Sequence, residues 1–545
     1  MKSLFFNKKM MVVAIFAATT LTSCLNKLDI KPIDPSQKTS INSEGEYFSY
    51  LTKMYAGLAN TGQGGSAGGD LGGGDEGGTQ YWRVFWNAEE FPTDEVKNTW
   101  TDEGAPQMTY GTWTKDNPFV AGLYNRIYYQ ITATNEFLRQ AEKLDGSTYQ
   151  DLAEWKAEAR FLRAYSYWHA LDFFGNRVPF VTEKDPIGKF MPKPAGENVR
   201  GPELFNYIHS ELKAIVGEGA NKDEVLKDAG TAWLGRADKG AAYMLLAKLD
   251  LNSEVYLGHK DVMLFKEGRA YLEKMMQEGG YSLYTDGGKV GNYESNAYSR
   301  LFMADNEKTG AEQIFTISSD GINMTHWGGT TYLIAAATGG KMDAMKEVGI
   351  GSGWAGNRTT KQMVANLTKD GNDVRGKMFF TEGQNLEIEN NTQFTDGYAV
   401  TKWKNIQQDG SEGKNNDGVF VSTNIPVFRL ADAYLMLAEF DLRIDGAVSA
   451  AHKDLVNQIR TRAQAAPYTG TMDLDFILNE RQRELFWEGH RRTDLIRFHK
   501  FVKGMNWAFK GGVAEGKDLP ARSVLYPIPS ADTGANTNLV QNTGY

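Results

Sequence analysis

Helical segments that recur in pairs are the feature that most constrains the fold of this chain. Apolar residues follow helical spacing from about 117 to 280, and the pattern returns from about 428 to 503. Small residues such as Ala241, Ala242 and Ala438 stand where paired helices would pack closely. Helix-turn-helix units of about 34 residues with small residues at such positions predict a mostly α fold of tetratricopeptide-like repeats. A helical domain without repeats is the alternative.

Two long irregular stretches, at about 61–113 and 281–426, accompany the predicted helices. The first opens with a glycine tract that lacks a G-K-[ST] sequence, which argues against a phosphate-binding loop. The second is rich in Gly, Asn, Asp and Thr, and its aromatic residues stand apart from one another. Long irregular segments within a domain usually carry function. We therefore expect the loop-rich stretches to form the ligand face of a single domain over 43–545.

The first 23 residues have the layout of a secretory signal peptide. Lys2, Lys8 and Lys9 precede an apolar run, Met10–Ala18, which is shorter than the roughly 20 residues that span a bilayer. The segment closes with the sequence LTSC, ending at Cys24, which resembles the lipobox of bacterial lipoproteins. This resemblance implies cleavage before Cys24 and lipidation of Cys24. A chance thiol in a discarded leader is the alternative.

Cys24 is the only cysteine among the 545 residues, so no disulfide forms within the chain. Two or more acyl chains hold a protein stably on a membrane. Residues 24–42 are polar and contain two prolines, which is typical of a spacer. We therefore predict a lipidated tether at 24–42, and an anchored rather than a membrane-embedded protein.

Composition argues against nucleic acid as a partner. The formal net charge is −9, whereas nucleic-acid binding depends on basic stripes or patches. The 12 tryptophans and 25 tyrosines indicate stacking surfaces in addition to a core. Among the tryptophans, we expect Trp82, Trp86 and Trp403 to pack internally.

Several sequence blocks resemble the SusD/RagB family of outer-membrane lipoproteins, in the order in which that family carries them. Together they cover essentially the whole mature chain. The blocks are Ala159–Ala164, Gly235–Ala241, Phe428–Tyr434, Glu480–Arg492 with Asp494–Arg497, and Tyr526–Pro529 with Asn538–Tyr545. The resemblance implies a mostly helical body with four tetratricopeptide-like units and a loop-rich face that holds glycan. It also implies an outer-membrane location at the cell surface and a SusC-like TonB-dependent transporter as partner.

The glycan-face blocks resemble most closely those of the starch-binding founder of the family, which implies an α-glucan such as starch or maltooligosaccharides as ligand. By motif position, an arc of indoles would be formed by Trp100, Trp327 and Trp354. Asp75 and Arg83 would supply hydrogen bonds. One position departs from the founder, because Glu103 stands where the founder has a polar Asn. We therefore expect Glu103 to alter one hydrogen bond to the sugar.

Aromatic plates suit this chemistry because sugar rings have apolar C–H faces and polar rims. Three stacks with a few hydrogen bonds predict a dissociation constant on the order of micromolar to millimolar. Such weak sites suffice for a polymer with many repeats, since binding of one unit raises the effective concentration of the next.

Two other functions are alternatives to glycan capture. Helical repeats commonly present grooves to peptides, so a peptide-binding uptake lipoprotein of the same family is the first alternative. A glycoside hydrolase is the second, and it would need two carboxylates about 5–10 Å apart. The acidic pairs Asp75/Glu76 and Asp94/Glu95 are adjacent in sequence and give no such signal.

No catalytic residue is predicted, because H-E-x-x-H does not occur and the one G-x-S-x-G match, at 64–68, lies in the glycine tract without the strand–helix context of a nucleophile elbow. The arginines and acids of the last helices, such as Arg481 and Glu484, are interleaved with apolar residues, which favours a structural ion-pair network. No cofactor is predicted, and a structural cation stays open.

Overall fold

The computed structural model describes residues 43–66, 68–72, 77–146, 148–188, 202–219, 224–414 and 418–545. The predicted signal peptide, Cys24 and the tether at 24–42 lie outside these ranges. Residues 48–545 form one compact unit, and Ser43–Tyr47 are the described part of a preceding unit. None of the helices in the described ranges combines the length and apolar character that a membrane crossing requires.

Helices dominate the described chain, which confirms the mostly α fold class. They are α1 (Glu44–Ala59), α2 (Tyr81–Glu90), α3 (Ala105–Tyr110), α4 (Pro118–Ala141), α5 (Leu152–Phe174), α6 (Pro202–Ile215), α7 (Lys239–Leu251), α8 (Ser253–Leu257), α9 (Val262–Gly279), α10 (Ala297–Arg300), α11 (Gly329–Ala336), α12 (Ala344–Val348), α13 (Lys361–Leu367), α14 (Leu430–Asp445), α15 (Ala450–Arg462), α16 (Leu474–Leu485), α17 (Arg491–Arg497) and α18 (Ser530–Ala535).

The strands in the described ranges are short and pair two by two in antiparallel fashion. The pairs are β1 (Lys97–Asn98) with β5 (Asn357–Arg358), β2 (Gly288–Val290) with β3 (Tyr293–Ser295), β4 (Gln313–Ile317) with β8 (Ile425–Arg429), and β6 (Phe379–Phe380) with β7 (Ala399–Val400).

The helical body is a succession of packed neighbours, as the repeat pattern predicts. Helix α4 packs on α5, α5 on α6, α6 on α7, α7 on α9, α9 on α14, and α14 on α15. Local signals set the helix ends. The side chain of Asn117 accepts hydrogen bonds from the first N–H groups of α4, and Pro118 occupies the first turn, where no donor is needed. Gly175 ends α5 with φ +72°, a conformation that favours glycine.

Two sequence expectations need correction. The apolar spacing of Arg236–Tyr256 predicts one continuous helix, but α7 ends at Leu251 and α8 restarts at Ser253, with Asn252 in a non-helical conformation between them. The Asn-rich tail, Leu525–Tyr545, has a sequence that predicts an extended segment, but it contains the short helix α18.

The arginine–carboxylate cluster of the last helices is a buried structural network, as predicted. The Glu484 carboxylate receives Arg429 at 2.6 Å and Arg375 at 3.1 Å, and it also pairs with Arg462. All four side chains are at most 2% exposed. Because a charge buried alone is costly, such a cluster is stable only while every member keeps its partners. It joins α16 to α15, to β8 and to the loop-rich region.

Candidate functional site

Trp100, Trp327 and Trp354 lie together in the structure and are all half-buried. We call these three indoles the aromatic surface. The ring centroids of Trp327 and Trp354 are 5.8 Å apart, with 53° between the planes. The Trp100 indole N–H donates to the carbonyl oxygen of Trp354 at 3.4 Å. Three positions separated by up to 254 residues in the chain therefore form one continuous patch.

Helix α11 positions two of the three indoles. Trp327 lies two residues before Gly329, the first residue of α11. The chain comes back to the C-terminal end of α11 at Trp354. There the Trp354 N–H donates to the Ala335 carbonyl at 2.7 Å. The next residue, Ala355, has φ +51°, an unusual conformation for a residue with a Cβ atom. Its N–H donates to Thr338 O at 2.9 Å, so backbone hydrogen bonds hold the turn that presents Trp354.

The short β1–β5 ladder positions Trp100. It pairs Asn98 with Asn357, and the Thr99 N–H extends it by donating to Gly356 O at 2.9 Å. Trp100 follows directly and packs against Gly356. A Cβ atom at residue 356 would approach the indole to 2.6 Å, so the glycine is required for this contact.

A second layer of side chains supports the indoles from below. Tyr332, in the middle of α11, is 0% exposed, and its ring centroid is 6.1 Å from that of Trp100 and 6.5 Å from that of Trp354. Its hydroxyl donates to Asn87 Oδ1 at 2.7 Å. Phe420, also buried, packs 4.6 Å from Trp327. Neither support is predicted from the sequence, because an aromatic residue beneath a surface has the same local signal as any core residue.

Arg83 lies in this second layer. Its guanidinium stands 4.5 Å from the centre of the Tyr332 ring and 5.9 Å from that of Trp100, which are cation–π distances. Its Nη1 donates to the carbonyl oxygen of Trp327 at 3.1 Å. The side chain is buried, so Arg83 holds the indoles in place, and its direct hydrogen bond to a sugar stays a prediction.

The end of the glycine tract packs against the same loops. Gly77 has φ +85°, and a Cβ atom there would lie 2.5 Å from the backbone of Trp327. Gln80, which is buried and caps α2, accepts hydrogen bonds from Arg83 N at 2.7 Å and from Gly329 N at 3.0 Å. The tract therefore serves close backbone packing beneath the aromatic surface.

The remaining predicted polar residues are placed differently. Asp75 lies outside the described residues. Glu103 is exposed in the turn that leads into α3. It follows Trp100 by three residues in the chain. Its role in hydrogen bonding stays a prediction.

The one acidic pair of the hydrolase alternative that the structure describes is buried. Asp94 receives Arg491 at 2.7 Å, and Glu95 accepts a hydrogen bond from Trp487 N at 2.8 Å. Burial raises the pKa of Glu95 to about 7. Burial also raises the pKa of Asp94, but the charge of Arg491 outweighs it and brings that pKa below its ordinary value. Both groups belong to the structural network. Trp82, Trp86 and Trp403 are likewise buried, as predicted.

The aromatic surface presents indole faces to solvent, and backbone polar groups lie beside them. The planes of Trp327 and Trp354 are inclined by 53°, so the half-exposed indoles form a non-planar apolar surface. Such a surface suits ligands with apolar faces and polar edges, and sugar rings are the common example.

Comparison with known proteins gives a consistent family. The model of the SusD family matches residues 353–545. The chain is 32% identical over 590 aligned residues to the starch-binding protein SusD of Bacteroides thetaiotaomicron, covering 99% of each chain. It is 24% identical over 452 residues to the SusD-like protein P25 of Formosa agariphila, covering 78% of this chain and 80% of that one.

Solved structures share the fold. A SusD superfamily protein from Parabacteroides distasonis superimposes with a TM-score of 0.69 at 21% identity, covering 93% of this chain and 100% of that one. Surface glycan-binding protein A from Bacteroides thetaiotaomicron, in complex with laminarihexaose, gives a TM-score of 0.69 at 18% identity, covering 92% and 100%. At these identities the likeness shows the fold alone.

Proposed function

Because this chain belongs to the SusD family, we propose that it is a glycan-binding protein of the cell surface that captures starch or maltooligosaccharides. The ligand would lie on Trp100, Trp327 and Trp354. The full-length relative that is named as starch-binding supports an α-glucan. The similar structure with bound laminarihexaose, a β-linked glucan, makes linkage the first point to test.

The convergence of the three indoles is the observation that carries this proposal. Each stack contributes about 0.5–1.5 kcal/mol beyond area burial. Three stacks therefore supply roughly 1.5–4.5 kcal/mol, which fits a dissociation constant on the order of micromolar to millimolar once hydrogen bonds are added. The angle between Trp327 and Trp354 favours a coiled polymer over a flat one, because successive units of a coiled chain face different directions.

Capture without cleavage fits the surroundings of the aromatic surface. Asp94 and Glu95 are engaged in the interior, where a substrate does not reach them. A glycosidase needs two carboxylates that face the bond to be cut. We infer a binding protein, and a reducing-sugar assay with amylopectin should show no release above buffer.

The captured glycan would pass to a SusC-like TonB-dependent transporter in the outer membrane, with the protein held there by lipid on Cys24. The family and the lipobox support this part of the proposal. Changing Cys24→Ser should release the protein from the membrane fraction and abolish incorporation of radiolabelled palmitate. Retention on the membrane with no lipid label in the wild-type protein would contradict the anchor.

The glycan proposal is tested by affinity electrophoresis of the purified mature protein in gels that contain amylopectin. Retardation is expected for the wild type, and each of the changes Trp100→Ala, Trp327→Ala and Trp354→Ala should reduce it. Trp233→Ala is the matched control, because Trp233 is 81% exposed and lies outside the aromatic surface. That variant should migrate as the wild type does.

Three results would count against the proposal. Absence of retardation in amylopectin would contradict the starch assignment, and retardation in laminarin gels instead would redirect it to β-glucans. Retardation that survives all three changes would remove the aromatic surface from the account. Tight binding of a peptide library with no glycan binding would favour the peptide alternative.

A further inference from the structure

A cluster of metal-ligating side chains lies in the helical body, outside the aromatic surface. His209 from α6, Asp250 from α7 and Glu267 from α9 each offer one ligand atom, and these atoms lie within 4.8 Å of one another. The three helices are successive members of the repeat stack. Nothing in glycan capture uses these residues, so their convergence needs a separate explanation.

Asp250 is the member that points to a ligand. It is 0% exposed, and its carboxylate accepts no hydrogen bond of good geometry from the described part of the chain, although His209 lies beside it. His209 Nε2 lies 3.2 Å from Oδ1 of Asp250, yet it too makes no hydrogen bond of acceptable geometry. A buried carboxylate without good hydrogen bonds is strongly destabilising unless a paired charge or a bound metal ion offsets its burial.

The spacing of the ligand atoms is close to that of a tetrahedral metal site. His209 Nε2 is 3.2 Å from Asp250 Oδ1 and 3.8 Å from Glu267 Oε2. Four ligands placed about 2.0–2.1 Å from a tetrahedral centre stand roughly 3.3 Å apart. The distance between His209 Nε2 and Asp250 Oδ1 already matches one edge of such a tetrahedron. The distance between His209 Nε2 and Glu267 Oε2 is longer by about 0.5 Å, which a side-chain adjustment of that size would remove.

The side chains around Glu267 and His209 leave the proposed ligand atoms facing one another. Lys213 Nζ and the Tyr271 hydroxyl both contact Oε1 of Glu267, at 2.6 Å and 3.2 Å, so Oε2 is the oxygen turned toward His209. The Phe205 ring stacks on the imidazole with 15° between the planes. Outer contacts of this kind orient metal ligands in known sites.

Close packing of the helices brings the carboxylates together. A Cβ atom at Gly268 would lie 2.8 Å from Cβ of Asp250 and 2.6 Å from the Phe440 ring. The glycine therefore lets α9 approach α7 at the residue next to Glu267. With neutral His209, the two carboxylates and Lys213 sum to one negative charge, which a divalent cation would reverse to one positive charge.

We propose that His209, Asp250 and Glu267 bind a divalent transition-metal cation of the Zn²⁺ class, which joins three helices of the repeat stack. An imidazole with two carboxylates suits Zn²⁺, which accepts both nitrogen and oxygen ligands. Ca²⁺ and Mg²⁺ prefer all-oxygen sites, so the imidazole disfavours them. Three protein ligands leave one tetrahedral position for water.

The test uses tag-free, full-length mature protein that has been stripped with a chelator and then titrated with Zn²⁺. We expect one equivalent bound per chain by calorimetry and elemental analysis, together with a rise in melting temperature. Ca²⁺ at the same concentration should produce neither effect. Removal of a ligand should weaken Zn²⁺ binding by at least about 100-fold, since even outer contacts are worth 10–100-fold.

The ligand variants are His209→Gln, Asp250→Asn and Glu267→Gln. Asp250→Asn should leave the metal-free protein at least as stable as the wild type, because it removes a buried charge that accepts no hydrogen bond. Glu267 is 32% exposed, so its variant carries little risk of unfolding. The matched control is His452→Gln, since His452 also faces an aspartate, Asp441, at 2.8 Å. Asp441 already accepts hydrogen bonds from Ser449 N and Arg269.

Each outcome decides the matter. Stoichiometric Zn²⁺ binding that the three variants lose and His452→Gln keeps would establish the site. No stoichiometric binding in the wild type, unchanged binding in the variants, or equal binding of Ca²⁺ would overturn it. A metal-free Asp250→Asn that is much less stable than the wild type would instead assign the pair to a simple His–Asp ion pair.

Discussion

Replacing Gly356 by alanine should weaken glycan binding without removing any aromatic ring. A Cβ atom at this position would lie 2.6 Å from Cε2 and Cζ2 of Trp100, whereas ordinary contacts begin at 3.4 Å. The backbone cannot yield easily, because Gly356 N–H donates to Ala336 O at 2.8 Å and its carbonyl accepts from Thr99 N at 2.9 Å. The indole must therefore move by roughly 1 Å.

Two responses are possible, and the burial of Trp100 decides between them. If the ring stayed, overpacking would cost about 1–3 kcal/mol. With about 2 cal/mol/K of unfolding entropy per residue over roughly 500 residues, that cost lowers the melting temperature by only about 1–3 °C. Trp100 is half-buried and can swing toward solvent, so we expect the ring to move. Loss of one stack of about 0.5–1.5 kcal/mol then reduces affinity about 2- to 13-fold.

Calorimetric titration with maltoheptaose measures the loss directly. Gly356→Ala should bind about as weakly as Trp100→Ala, with a melting temperature close to that of the wild type. Gly371→Ala is the matched control, because Gly371 is exposed and a Cβ atom there meets nothing within 4 Å. Wild-type affinity in Gly356→Ala, alongside weakened binding in Trp100→Ala, would refute this reasoning about how Trp100 is held.

Three further predictions concern the buried charges. Glu484→Ala leaves three buried arginines short of a partner and should lower the free energy of unfolding by about 3–5 kcal/mol in chemical denaturation, and a loss below about 1 kcal/mol would contradict the network. Burial raises the pKa values of Glu480, Glu488 and Asp494, but neighbouring cations outweigh burial and hold each pKa at about 2. The stability that these carboxylates contribute to the folded state should therefore be complete above about pH 4.5 and be lost as pH falls toward 2. A flat profile of unfolding free energy over that range would contradict this prediction. Burial and nearby acids raise the pKa of Glu90, so the folded state retains a proton that the unfolded state has lost. Stability should therefore fall as pH rises above about 4.5. Glu90→Gln should reduce that decline, and an unchanged slope of stability against pH would count against a protonated Glu90.

Local signals were enough to predict the helical body. The helical spacing of apolar residues between Leu152 and Phe174 predicts a helix with the observed ends of α5, and Gly175 is the natural C-terminal cap that follows it. Asn252 shows where local signals fail, since the spacing of apolar residues around it gives no indication that α7 ends at Leu251. Helix ends that depend on packing rather than on caps are not encoded locally.

The candidate site was predicted less completely, because its geometry depends on distant pairings. The ladder that carries Trp100 joins residues about 260 positions apart, Asn98 and Asn357. Position in the family blocks selected the three tryptophans, but it gave no sign that Tyr332 lies beneath them. The acidic pair Asp94/Glu95 showed the same difficulty, since its partner Arg491 is 397 residues away.

The central claim is that the aromatic surface holds a glucan chain. A crystal structure of the protein with bound maltoheptaose tests this most directly. We expect glucosyl rings stacked on the indoles of Trp100, Trp327 and Trp354, following the curve that these rings form. Density for the sugar on another face of the molecule, with these three indoles left free, would contradict the account.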